Sequence, residues 1–233
     1  AWVRSIADIQ ADLEGIPLEE RFHLSRESEV ACPDAKASQK MAEKIRKTMQ
    51  DKQTLGGVIE LAAFGVPAGL GSCVQWDQRL EARLAAAILS VQAFKGIEIG
   101  DAFENTCLPG TQAQDAILLE GVNLHRRSNR AGGIEGGMSN GQPILLRAAM
   151  KPIATTLTPQ ASVDLAAGTP QATTYERSDF CPVPRAPVIV EAMTAFILAD
   201  ALISKLGGDS LSEMLPRFSS LRQLNTDHLR LSD

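Results

Sequence analysis

The stretch HRRSNRAGGIEGGMSNGQPILLRAAMKPIAT, residues 125–155, packs five glycines, four arginines and a lysine around one short apolar run. Glycine loses more conformational freedom on folding than any other residue, so this density is costly unless the backbone must approach something closely. A ligand carrying phosphate or flat rings would supply that something. A mobile surface loop is the plain alternative, because glycine and serine are ordinary loop residues. Gly132-Gly133-Ile134-Glu135-Gly136-Gly137 is not a dinucleotide fingerprint, since it neither follows a convincing strand nor opens a periodic helix. Lys151-Pro152-Ile153-Ala154-Thr155 follows a predicted strand over 143–150. It brings together a point charge, a rigid proline and a hydroxyl, a set that suits a phosphate monoester.

Working outward, 233 residues with 44% hydrophobic content suffice for a substantial core, and one domain is expected, with residues 216–233 as a mobile tail. A net charge of −5 argues against general attraction to nucleic acid or anionic membrane. Cys32, Cys73, Cys107 and Cys181 follow no CxxC spacing in a chain too large to need disulfide staples, so they read as reduced thiols in a cytoplasmic protein. His23, His125 and His228 stand apart from one another and from the cysteines, so no metal site is expected. No run is read as reaching the eighteen or so apolar residues of a membrane span. The chain opens on Ala1-Trp2-Val3-Arg4 without an initiator methionine or a signal peptide, and is expected to be an internal piece of a longer protein.

The periodicities predict α+β architecture, antiparallel strands layered with buried helices, because strands and helices alternate without βαβ spacing. Strands are expected over 1–9, 55–64, 97–99, 143–150 and 161–165. Helices are expected over 37–52, with Met41, Ile45 and Met49 at four-residue steps, and over 79–94, with Leu80, Leu84, Ile88 and Val91 on one face. Lys95-Gly96 would cap the second of these. A long apolar helix is expected over 187–206, with proline in its first turn and Gly207-Gly208 at its end, and a short one over 209–215, before Pro216. Residues 12–28 and 100–121 read as irregular.

Five separated motifs carry a family resemblance. Gln92-Ala93, then Lys95-Gly96-Ile97-Glu98-Ile99-Gly100-Asp101, the arginine and glycine text of 126–141, the lysine-proline run and Arg177-Ser178-Asp179 follow in an order and spacing that resembles chorismate synthase, from Ala1 to near Leu206. The resemblance implies that reduced FMN is held by Gln92, Ala93, Gly136, Lys151, Pro152, Ile153, Ala154, Thr155 and Arg177. It implies catalytic positions at Asp179, the aspartate that assists proton movement at flavin N5, and Arg177. The implied reaction is anti-1,4-elimination of phosphate from 5-enolpyruvylshikimate 3-phosphate to chorismate, in a cytoplasmic homotetramer with a small-molecule substrate and NADPH as the possible reductant.

The residues themselves keep plainer readings open. Gln92 and Ala93 could merely close a helix, Gly136 could serve only a turn, and Arg177 and Asp179 could be a surface ion pair. The family's Gly-Glu-Ser-His and Ser-Ala-Arg-Glu type motifs are absent, so His125 is assigned no role and the chain is expected to be inactive alone. A non-catalytic flavin-binding or interaction remnant of the same fold is the alternative. Phe180 stands where the family usually carries a smaller residue.

Overall fold

The computed structural model describes residues 1–175, 179–221 and 226–229. In chain order it forms β1 (Trp2–Ile6), β2 (Ile9–Gln10), α1 (Leu18–Arg26), α2 (Ala35–Gln50), β3 (Gly57–Ala63), α3 (Leu80–Leu89), β4 (Phe94–Ile99), α4 (Ala102–Asn105) and α5 (Gly110–Ala113). The hairpin strands β5 (Ile117–Glu120) and β6 (Asn123–Arg126), and then β7 (Ile134–Glu135) and β8 (Met138–Ser139), lead to β9 (Ile144–Met150). The hairpin β10 (Ala161–Asp164) and β11 (Thr169–Ala172) precedes α6 (Ala186–Leu206), α7 (Leu211–Ser219) and α8 (Thr226–Leu229). Five strands share one sheet in the order β2-β1-β3-β9-β4, with β1 antiparallel to both neighbours, and the three hairpins are antiparallel. This is the predicted α+β class.

The chain divides into two compact units. The first comprises Ala1–Glu60, Gln92–Gly96 and Ala148–Ile189, and the second Leu61–Val91, Ile97–Arg147 and Val190–Asp233. In the first unit Trp2, Val3, Ile6, Met41, Ile59 and Phe94 are buried. Helix α2 starts where Asp34 accepts hydrogen bonds from the Lys36 and Ala37 N–H groups, a side-chain cap for otherwise orphaned donors. Its buried face is Ala37, Met41, Ala42 and Thr48, so Met49, expected inside, is 46% exposed. Helical rows drift away from a strict four-residue step.

Helix α1 corrects the irregular reading of 12–28. It buries only Ser25 and lacks an apolar stripe, so periodicity could not reveal it. Arg21 anchors it instead, donating to the carbonyls of Ile16 and Leu13 and to Glu60. Likewise the stretch 100–121 contains α4, α5 and β5.

In the second unit Val66, Leu70, Leu80, Leu84, Ile134, Ile144 and Ala201 form a buried cluster, with Ile197, Leu198 and Leu202 of α6 packed against it. Helix α3 ends at Leu89, well short of the expected end at 94, because Phe94 already belongs to β4 and is 2% exposed. Lys95-Gly96 is therefore strand and not cap. Helix α7 runs through Pro216 to Ser219, past the expected stop. Within Val183–Leu206 the chain does reach the length and apolarity of a membrane span, with a mean hydropathy of 1.9 over an eighteen-residue window, which corrects the reading that no run does. Averaged hydropathy tolerates its isolated charges, Arg185, Glu191, Asp200 and Lys205. Its inner face packs on the core cluster just described.

Candidate active site

Most of the expected flavin residues lie in the first unit. Helix α3 is closed by the Ser90 hydroxyl on the Ala87 carbonyl and by the Val91 N–H on Ile88. Ala93 then adopts a φ of 71°, left-handed backbone that costs an alanine about 1 kcal/mol. That reversal turns the chain into β4 and aims the Ala93 carbonyl at the Lys151 N–H, 2.9 Å away. Gln92-Ala93 and the lysine-proline run, nearly sixty residues apart in sequence, are thus joined by one hydrogen bond.

A third segment, which sequence reasoning missed, completes the support. The Thr54 hydroxyl donates to the Ile153 carbonyl at 2.7 Å, and the Leu55 N–H donates to the Phe180 carbonyl at 2.8 Å. Gly56 lets this segment pass close beneath, since a Cβ there would lie 2.3 Å from the Met150 carbonyl and 2.8 Å from the Pro152 nitrogen. The only sequence signal is the Gly56-Gly57 pair at the start of the strand expected over 55–64. Thr54 and Leu55 therefore hold both Ile153 and the residue after Asp179.

On this fixed backbone the side chains of Gln92, Lys151, Pro152 and Ala154 face outward, with Ile153 and Thr155 half-buried. No carboxylate among the described residues lies within 4 Å of the Lys151 ammonium. Asp179 is exposed and pairs with Arg185 at 3.0 Å. Arg177, expected beside it, lies outside the described residues. A lysine that has no carboxylate partner among the described residues, on backbone tied by hydrogen bonds, is a donor suited to a phosphate, and the left-handed turn at Ala93 brings main chain beside it. The residues present thus fit a phosphate-bearing flat ring system such as FMN.

Gly136 lies in the second unit, and there the structure explains the glycines differently. Gly136 and Gly137, with φ of 60° and 93°, are the two central residues of the β7–β8 hairpin, a turn requiring positive φ at both positions. Nothing lies within 4 Å of a Cβ built on Gly136, whereas one on Gly137 would fall 2.4 Å from the Ser72 carbonyl. A Cβ on Gly132 would meet the Gly100 nitrogen at 2.3 Å, and one on Gly133 the Pro143 carbonyl at 2.5 Å. The close approach inferred for these three glycines is to the protein's own backbone, not to a ligand.

The arginines of this stretch are also largely committed. Arg126 pairs with Glu135, Arg130 with Glu104 and Asp101, and Arg147 with Glu98 and Asp101. Asp115 organises the turn, accepting from the Ser128 hydroxyl and from the Arg130 and Ala131 N–H groups at 2.6 to 2.9 Å. Burial pushes its carboxyl up, but these donors and Arg126 outweigh it and hold the group below the usual carboxylate range. Cys32 and Cys181 are both raised to about 11 by burial, so these two free thiols are not nucleophiles at neutral pH.

The sequence model of the family described as Chorismate synthase matches residues 1–203. The chain belongs to the chorismate synthase family. It is 53% identical over 211 residues to a chorismate synthase of Desulforudis audaxviator, a match covering 90% of this chain and 54% of that protein. It is 47% identical over 213 residues to one of Syntrophotalea carbinolica, covering 91% and 55%. A solved structure titled "Crystal Structure of Chorismate Synthase" superposes with a TM-score of 0.76 at 36% identity, covering 94% of this chain and 60% of that one. The chain therefore spans about half the length of these chorismate synthase relatives, and the α+β fold is that of the corresponding part of the family.

Proposed function

We propose that this chain supplies the flavin wall of a chorismate synthase, the enzyme that eliminates phosphate from 5-enolpyruvylshikimate 3-phosphate to give chorismate. The observation that carries this reading is the Lys151 N–H to Ala93 carbonyl bond, which gathers two family motifs around an ammonium without a carboxylate partner among the described residues. Reduced FMN, when bound, supplies an electron-rich ring system that offsets developing electron deficiency and a nitrogen that takes the departing proton. The protein's share is positioning and electrostatics.

In this reading Lys151 and Thr155 hold the flavin phosphate, while Gln92, Ala93, Pro152, Ile153 and Ala154 shape the ring seat. Gly136 and Arg177 complete the binding set, and Asp179, with Arg177, manages the proton at N5. The residues that would grip the substrate's own phosphate and carboxylates belong to family motifs this chain does not contain, so turnover by the chain alone is expected to be negligible. NADPH as reductant, the homotetramer and a cytoplasmic setting belong to the same proposal.

Anaerobic titration of the 233-residue chain with reduced FMN, followed by flavin fluorescence, tests the reading. Saturable binding that weakens at least tenfold in Lys151→Ala is expected. Binding unaffected by that change, or absent from the native chain, would overturn it. Rapid chorismate formation by the isolated chain would refute the division of labour proposed here.

A further inference from the structure

A cavity of about 500 Å³ in the second unit takes no part in the flavin reading. That is the size of a small-molecule site. Its wall includes Gly69 and Ser72 of the glycine loop after β3, Gln78 and Arg83 before and on α3, and Ser204 and Lys205 at the end of α6. The loop is fixed from behind by one buried serine. The Ser139 hydroxyl donates to the Pro67 carbonyl at 2.6 Å and accepts from the Leu70 N–H at 2.9 Å, while the Gly69 N–H donates to the Ser139 carbonyl at 2.7 Å.

Two cations and no carboxylate stand among the described residues of this wall. Arg83 is paired with Asp200. Lys205 is not so engaged, since no carboxylate among the described residues lies within 4 Å of its ammonium. That ammonium sits over the bare backbone of Gly69, where a Cβ would stand 3.0 Å from it, and the φ of 87° at Gly69 already disfavours a side chain. A lysine in the last turn of a helix ordinarily serves the helix dipole. That role accounts for its charge, but not for its place above a glycine loop in the wall of a cavity.

The donors that remain indicate the ligand. With Arg83 paired, its planar fork is not free to take a carboxylate in two parallel bonds, which leaves the Lys205 point charge and the hydroxyls of Ser72 and Ser204. The Ser72 oxygen accepts from the Val74 N–H at 3.2 Å, so its O–H is left to donate. A point charge with rotatable hydroxyls suits a tetrahedral oxyanion, which accepts from several directions, better than a planar carboxylate. We propose that this cavity binds a small phosphate monoester, its phosphate on Lys205, Ser72 and Ser204 and its organic part toward Gln78 and Met138. None of these residues is assigned to the flavin, so the inference stands or falls independently of that reading.

Thiol modification tests it with an internal control, because exposed Cys73 lines the cavity while Cys107, equally exposed, belongs to the segment after α4. The 233-residue chain is treated with N-ethylmaleimide, with and without sn-glycerol 3-phosphate, and each cysteine is followed by peptide mass spectrometry. Saturating glycerol 3-phosphate is expected to slow modification of Cys73 at least fivefold and to leave Cys107 unchanged, while glycerol and lactate at matched ionic strength protect neither. Lys205→Gln should raise the concentration for half-protection at least tenfold, and Lys40→Gln, at an exposed lysine on α2, should not move it. Urea melts show whether the variants fold; if Lys205→Gln does not, the contrast between glycerol 3-phosphate and lactate at Cys73 of the native chain decides. No protection, equal slowing at both cysteines, equal protection by lactate, or protection indifferent to Lys205→Gln would each overturn the proposal.

Discussion

Two stretches of this molecule look alike as sequence and behave oppositely as structure. Residues 126–147 and 151–155 are both basic, and both stand beside glycines. In the second unit Gly132, Gly133 and Gly137 of the first stretch press against the chain's own backbone, and Arg126, Arg130 and Arg147 all have carboxylate partners. In the first unit the backbone of the second stretch is just as firmly tied, through Ala93 and Thr54, yet Lys151 faces outward without a carboxylate partner among the described residues. Glycine density reports that something comes close, not what it is. An uncompensated cation on immobilised backbone is the better sign of a missing anion, because a solvated pair is worth little while a fixed lone charge leaves its attraction for a ligand.

The sharpest way to break this contrast is Gly132→Ala. Its left-handed backbone (φ 63°) and a Cβ 2.3 Å from the Gly100 nitrogen leave no room for adjustment between two main chains, so a loss of about 3 kcal/mol or more is expected in urea unfolding. Loss of flavin affinity without loss of stability in that variant would return the stretch to a ligand cradle. Next in size is Asp115→Asn, which removes a charged acceptor serving three donors and should cost about 2 kcal/mol at neutral pH. Because the folded carboxyl sits below its unfolded value of about 3.9, its contribution is complete above that pH. It is lost as the pH falls through the folded value, so the gap between wild type and Asp115→Asn should narrow in acid. A gap that widened in acid would contradict the donor arrangement. Lys151→Ala should move stability by less than about 0.5 kcal/mol, as exposed unpaired side chains do, even while it impairs flavin binding.

Local pattern carried much of the fold and less of the site. Helices α2 and α6 and strands β3, β9 and β10 were legible because their apolar residues recur at the right period between glycine, proline or a capping aspartate. Helix α1 was not, since a single arginine gripping two carbonyls and Glu60 leaves no periodic trace. The end of α3 was misread because alanines and Phe94 continue an apolar text across a left-handed residue that propensity does not forbid strongly enough to see. Motif order picked out Gln92, Ala93 and the 151–155 run as associates, but not the bond that joins them, nor the part of Thr54 and Leu55, whose hydrogen bonds span 99 and 125 residues. Pairings at that separation are set by topology, which no window of sequence contains.

The mildest of the glycine substitutions bears most directly on whether position 136 answers to the fold or to a ligand. Gly136 has positive φ but nothing near its missing Cβ, so Gly136→Ala meets only the backbone penalty of about 1 kcal/mol. If the β7–β8 turn is its whole purpose, flavin affinity should change no more than stability does, and Gly136→Asn, a residue that tolerates left-handed backbone, should restore most of the loss. If Gly136 also approaches the flavin, as the family motif implies, Asn should rescue the melting temperature but not the binding. Urea melts and reduced-FMN titrations on the two variants separate these outcomes, because a turn senses φ alone while a ligand contact senses the added atoms.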